Sequence, residues 1–203
     1  MNNLFTSGGF VMWPLLMCSI ASLSCILERL FYWSIIDWHN KNTLEIIFQK
    51  LIKYPDGLMK FLKKNNNYPL ATILIKANDY KNQDPESFHL ALTYAIQASI
   101  KDIKKFDNIF STIITISPLL GLLGTILGLI KSFSLLDLGK GDINSIGVTG
   151  GISEALVSTA AGLIVAIFTL LFANYFKSKS NNHISLIQEY SAKVELLNSK
   201  QFT

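Results

Sequence analysis

The chain has 203 residues, of which 50% are hydrophobic and only 16% charged, with a mean hydropathy of +0.35. That balance excludes an ordinary soluble domain and indicates a membrane protein. The net charge of +4 comes without lysines interleaved with aromatics, and the 3 histidines and 2 cysteines are not at metal-ligand spacing, so neither nucleic-acid binding nor a metal or other cofactor is expected.

Residues 1–27 carry no charge, and apolar character resumes after Glu28 and Arg29. The first membrane span is expected at about Phe10–Ile36, as an uncleaved anchor: no basic residue precedes it and no small-residue cleavage site follows. Cys18 and Cys25 lie seven residues apart on one helix face, about 10 Å apart and too far for a disulfide. Trp13, Tyr32, Trp33 and Trp38 suit interfacial anchors.

Residues 37–107 read as a cytoplasmic helical segment too fragmented for an enzyme domain, with breaks at Pro55 and at "NNNYP". Asp84 and Pro85 then form a helix start, a capping side chain followed by proline at the first helical position. Apolar residues recur at Phe88, Leu92, Ala95, Ile96, Ile103, Phe106 and Phe110. The pattern predicts one unbroken helix from about 85 to 135, roughly 75 Å long, reaching well beyond a bilayer.

The second span, residues 108–135, holds 23 uncharged residues between Asp107 and Lys131. It carries Gly121, Gly124 and Gly128, which permit close helix contact, and a stripe of Ser111, Thr115, Pro118, Leu122 and Thr125. A loop at 136–149 leads to the third span, residues 150–176, with 22 uncharged residues between Glu154 and Lys177. Its stripe is Thr159, Gly162, Ala166, Thr169 and Ala173. Residues 177–203 continue as a helix whose apolar stripe is Ile184, Ile187, Val194 and Leu197. Such long amphipathic helices are expected to bury these stripes by oligomerisation.

The fold class is therefore all-α, an integral membrane protein with three transmembrane helices, two of them extended into the cytoplasm. Of the 18 lysines and arginines, 11 fall within 37–107 and four after 176. The positive-inside rule places the N-terminus and the 136–149 loop outside, and the middle segment and C-terminus in the cytoplasm. No nucleophile-and-base set or phosphate loop is present, so an enzyme is not expected.

Two antiparallel spans would set Thr125 and Thr159 about 9 and 8 Å inside the bounding charges Lys131 and Glu154. A transmembrane threonine can equally bond a carbonyl of its own helix. Glu154 has two readings, an acid stabilised at a helix N-terminus or one facing an ion path.

"SPLLGLLGTILGLIKSF" and "GGISEALVSTAAGLIVAI" together resemble the paired signature of the MotA/TolQ/ExbB proton-channel family, and "GGFVMWPLLMCSIASLSCILERLFYW" resembles the first span of its ExbB-like members. The resemblance implies an inner-membrane proton-channel subunit driven by the proton-motive force, a homopentamer around ExbD-like single-span helices that supply a membrane aspartate. It implies a TonB-like protein as the energised partner. Thr125 and Thr159 would line the proton path, Glu154 would face the same interior, and Pro118, Gly121, Gly124, Gly128 and Gly162 would pack the helices around it. Three spans favour ExbB or TolQ over the four-span MotA. A TolQ-like subunit for envelope maintenance and a non-conducting helical scaffold are the alternatives.

Overall fold

The computed structural model describes residues 9–53, 60, 62–63, 69–78, 85–136 and 145–199. The described elements are all helices: α1 (Met12–Lys53), α2 (Pro69–Asn78), α3 (Pro85–Ile103), α4 (Asp107–Leu136) and α5 (Ser145–Ser199). Three stretches, within Met12–Ile36, Glu86–Ser134 and Gly147–Leu196, are long and apolar enough to cross a bilayer. The chain divides into two compact units, one from residues 1–28 and 106–175, the other from 29–105 and 176–203.

In the first unit the exterior is apolar and the packed interior is small and hydroxylated. Leu119, Leu123, Ile126, Leu156, Ile164 and Leu171 point outward, whereas Ser22, Ser117, Ser132, Ser158 and Thr169 are buried. Lipid provides no hydrophobic drive for helices to associate, so contact depends on close approach of backbones. The α4 and α5 helices achieve it through glycine. A Cβ at Gly162 would stand 2.5 Å from the Ser117 carbonyl oxygen, and one at Gly128 2.7 Å from that of Gly151. Pro118 sits within α4 without ending it.

The second unit packs as a water-soluble core does. Phe88, Leu92, Ala95 and Ile103 on α3 are buried, α2 packs on α3 with Leu70, Ala71, Ile73 and Ala77 inward, and α5 buries Phe176, Ile184, Ile187 and Val194. Full burial of one such Leu, Ile or Phe contributes about 1.5–3 kcal/mol.

Several expectations are corrected here. The stripes expected to need a neighbouring copy are largely buried within one chain: Phe88, Leu92, Ala95 and Ile103 on α3, against which α2 packs, and Ile184, Ile187 and Val194 on α5. Leu197 lies outside the residues whose side chains are described. The single helix expected over 85–135 is two: a turn at 104–106 separates α3 from α4, with Phe106 at φ +73°. The reason is a capped helix end. Arg29, only 2% exposed, donates from its guanidinium to the Ile103 and Asp102 carbonyls, each at 3.1 Å, and lies 5.1 Å over the Tyr32 ring. It satisfies two of the carbonyls that a helix C-terminus leaves open. Phe106 then takes the left-handed conformation more usual for glycine, and its carbonyl accepts from the Phe110 amide at 2.9 Å as α4 begins. Trp33 is no lipid-interface anchor: it is buried, edge-on to His183 at 5.6 Å, with the Lys179 ammonium over its ring. The start of the segment expected from residue 37 continues the first helix, since α1 runs to Lys53, and α5 begins five residues before the expected start of span three. Trp38 lies outside the residues described at side-chain level, and Pro55 and residues 65–68 of "NNNYP" lie outside the described residues, while its Pro69 opens α2.

Candidate functional site

The antiparallel contact of α4 and α5 is built from a row of positions on α4 at spacings of three and four: Ile113, Ser117, Gly121, Gly124, Gly128 and Ser132, all buried. On α5 the facing row is Gly151, Ala155, Ser158, Gly162, Ala166 and Thr169. Ser158 fills the space left by the absent Gly124 side chain, and Ala155 that left by Gly128.

Thr159 lies at the edge of this contact, half-buried. Its hydroxyl donates across the helix pair to the Gly121 carbonyl at 2.9 Å. In an α-helix that carbonyl also receives the amide four residues on, here that of Thr125. Thr125 is one turn further along the same face, half-buried, and its hydroxyl donates within α4 to the Leu122 carbonyl at 2.6 Å. The two threonines are thus joined through one turn of α4 backbone.

Inside the unit the hydroxyls form a separate set. Thr169 donates to the Val165 carbonyl at 2.7 Å, which leaves its oxygen to accept from Ser22 of α1, also at 2.7 Å. Ser158 donates to the Ala155 carbonyl at 2.8 Å. Ser132 reaches the Gly128 and Val148 carbonyls at 3.0 and 3.2 Å. Ser117, fully buried, has no hydrogen-bond partner among the described residues.

The row Ser111, Thr115, Leu122 and Thr125 runs beside this contact and outside it. Ser111, Thr115 and Leu122 are exposed, while Pro118 and Thr125 are half-covered. Thr115 bonds the Ser111 carbonyl of its own helix at 2.9 Å. Pro118 has no amide to give to the carbonyl four residues back, so the backbone acceptor of Ile114 is left open on this helix.

Glu154 is placed apart from the threonines. Five residues separate it from Thr159, roughly 140° around the helix. Its carboxylate meets the Lys131 ammonium at 2.8 Å and lies against Gly9 at the start of α1, where a Cβ would clash with it. It is also nine residues into α5, too far from Ser145 for the helix N-terminus to act on it. The helix-start reading is therefore set aside, and the charge has a partner that sequence reasoning treated only as a depth marker. The available signal was that Lys131 and Glu154 bound antiparallel spans at the same end. The buried serines were also missed, because the stripe chosen on α4 was one position off the packed one.

Residues 58–189 match the family model described as the MotA/TolQ/ExbB proton channel family. The chain is 46% identical over 192 residues to the protein named ExbB-like 3 of Synechocystis sp., covering 94% of this chain and 91% of that one. It is 31% identical to ExbB-like 1 of the same organism, over 95% of this chain and 77% of the relative. The biopolymer transport protein exbB1 of Vibrio cholerae is 28% identical over 78% of this chain and 71% of its own length.

Proposed function

Because the chain belongs to the MotA/TolQ/ExbB proton channel family, a family of multi-pass membrane channels and not of enzymes, we propose that it is an ExbB-like subunit of a proton-driven motor in the bacterial inner membrane. An ExbD-like single-span partner would supply a carboxylate, a TonB-like protein would receive the work, and five copies of this chain would form the channel wall. In this reading the N-terminus is periplasmic, and the C-terminus and the 37–107 segment are cytoplasmic.

One observation carries the reading to residues. The hydroxyls that the subunit needs for its own packing are buried, while Ser111, Thr115 and Thr125 form a polar row outside that packing, with Thr159 at its edge. Thr115 and Thr125 are each satisfied by a carbonyl of their own helix and so are tolerated in lipid, and a row of such hydroxyls on the outside of a membrane helix pair fits a shared, hydrated path. The described spans hold no acid on that row, so the proton carrier must come from a partner. The threonines hold water or that carboxylate in place and do not themselves titrate.

The reading rests equally on the relatives' names, which include a biopolymer transport protein. Its test is partner-dependent proton flux in liposomes containing this chain with an ExbD-like subunit. Thr125→Val should assemble normally and lose flux; parent-like flux in that variant would leave the row as packing surface only.

A further inference from the structure

The apolar stretch of α1 ends at Ile36, and that of α5 ends before Lys177. At this level the second unit gathers cationic and aromatic side chains on one turn of α1. Arg29, held by the carbonyls that end α3, lies over Tyr32, and Tyr32 meets Trp33 edge-on at 5.5 Å. From α5, the half-buried Lys179 sets its ammonium 5.6 Å from the centre of the Trp33 ring, and the buried His183, one turn on, packs edge-on against the same ring. The end of α3 and the turn after it add Lys101, Lys104 and Lys105, all exposed, with Asp102 the acid among them.

The Trp33 ring is packed within the unit, yet its indole N–H is buried with no acceptor among the described residues. Buried donors are ordinarily paired, by the chain itself or by something bound to it. Beside this turn the surface of α1 is apolar, with Phe31 and Ile35 exposed. An acceptor is thus wanting among cations, next to a surface that suits hydrocarbon.

From this juxtaposition we propose that the Arg29–Trp33 turn of α1 and Lys179 of α5 bind the phosphate of an anionic phospholipid, its acyl chains lying along Phe31 and Ile35. A phosphate oxygen accepts the indole hydrogen bond and carries the charge that ammonium and guanidinium attract. Arg29 contributes chiefly charge, since both terminal nitrogens already donate to the end of α3. Lys179 is the member that moves: its long stem lets the ammonium swing from the ring face to a phosphate at the boundary of water and hydrocarbon. A zwitterionic lipid offers the same phosphate already matched by its own cation, so the site discriminates by net charge. A free phosphate ion shares the headgroup chemistry but lacks the chains. None of these residues belongs to the hydroxyl row of α4 and α5, so the site goes beyond the proton path.

The test is native mass spectrometry of the full chain, delipidated in mild detergent and titrated with phosphatidylglycerol or with phosphatidylcholine of identical acyl chains. The parent should prefer phosphatidylglycerol by at least about tenfold. Lys179→Gln should weaken phosphatidylglycerol about fivefold, the effect of one basic residue near an anionic surface, and leave phosphatidylcholine unchanged. Trp33→Phe keeps a ring and removes the N–H, and should also weaken phosphatidylglycerol about fivefold. Lys179→Arg should stay within roughly twofold of the parent, as should Lys193→Gln, which removes an exposed cation farther along α5. Equal affinity for the two lipids, or a loss in Lys193→Gln as large as that in Lys179→Gln, reduces the attraction to that of any basic surface and overturns the site. Parent-like phosphatidylglycerol binding by Lys179→Gln or by Trp33→Phe does the same. Displacement of the lipid by inorganic phosphate makes this an ion site and overturns the assignment to lipid. If Trp33→Phe does not fold, the Lys179 variants and the Lys193→Gln control decide.

Discussion

The Thr125 and Thr159 hydroxyls differ in what their loss should do, although the sequence presents them as equivalents. Among the described residues Thr125 bonds only its own helix, so Thr125→Val should leave thermal stability in detergent within about 0.5 kcal/mol of the parent. Thr159 bonds Gly121 of the facing helix. Thr159→Val should cost about 0.6–1.7 kcal/mol, the range for interhelical hydrogen bonds in a membrane. Equal losses in a denaturation series would contradict the division between an outward and an inter-helix hydroxyl. Ser117→Ala should behave in the opposite sense. It removes a buried hydroxyl that has no partner among the described residues, so stability should be unchanged or raised by up to about 1 kcal/mol. The sequence offered Thr125 and Thr159 at matched depth, but it did not offer Ser117, Ser158, Ser22 or Thr169 as a connected interior. A hydroxyl's role depends on which of two adjacent helix faces is packed, and a shift of one residue, about 100°, exchanges them.

Among the elements, α4 and α5 were legible because their signals are long and redundant: uninterrupted apolar runs, small residues at helical spacing and charges at the ends. The end of α3 was not legible. No glycine or proline marks residues 104–106, and the break depends on Arg29, which is distant in sequence and looked like a blemish in the first span. Arg29→Met should therefore remove a helix cap as well as a charge. With two charge-assisted hydrogen bonds lost to the Asp102 and Ile103 carbonyls, a destabilisation of about 2–3 kcal/mol is expected, and Arg29→Lys should recover only part of it, since an ammonium cannot reproduce the planar fork. Amide hydrogen exchange at residues 100–105 is the measurement. Protection equal to the parent's would mean that the cap is dispensable. At the glycines, Gly162→Ala places a methyl against the Ser117 carbonyl and should cost about 1–3 kcal/mol as the helices are forced apart.

For the molecule as a whole, the all-helical class and the three apolar stretches followed from composition and periodicity, whereas the case for oligomerisation from unburied stripes did not survive, because periodicity says that a face is apolar without saying what covers it. Apolar side chains also remain uncovered in the second unit, among them Phe31 and Ile35 on α1, Leu90 and Tyr94, one turn apart on α3, and Leu186 and Leu196 on α5. A homopentamer predicts a single species of five chains by native mass spectrometry in mild detergent; a monodisperse monomer would remove it. The proposed orientation predicts that single cysteines within 1–7 and 138–147, in a background with Cys18 and Cys25 replaced, are labelled by an impermeant reagent from outside, while those within 40–80 are not. Labelling of 40–80 from outside would invert the topology.

The buried hydroxyls of the first unit bear on how such a chain enters a bilayer during synthesis. Thr169, Ser158 and Ser132 each have a carbonyl acceptor on their own helix, at Val165, Ala155 and Gly128. A newly made helix can therefore carry these groups into lipid already satisfied, before any neighbour is present. Among the described residues, Ser22 and Thr159 have acceptors only on another helix. Ser22 on α1 is translated well before its partner, Thr169 on α5. Its hydroxyl thus waits while the 147 residues up to its partner are made, and the closing of that one hydrogen bond reports that α5 has docked on α1.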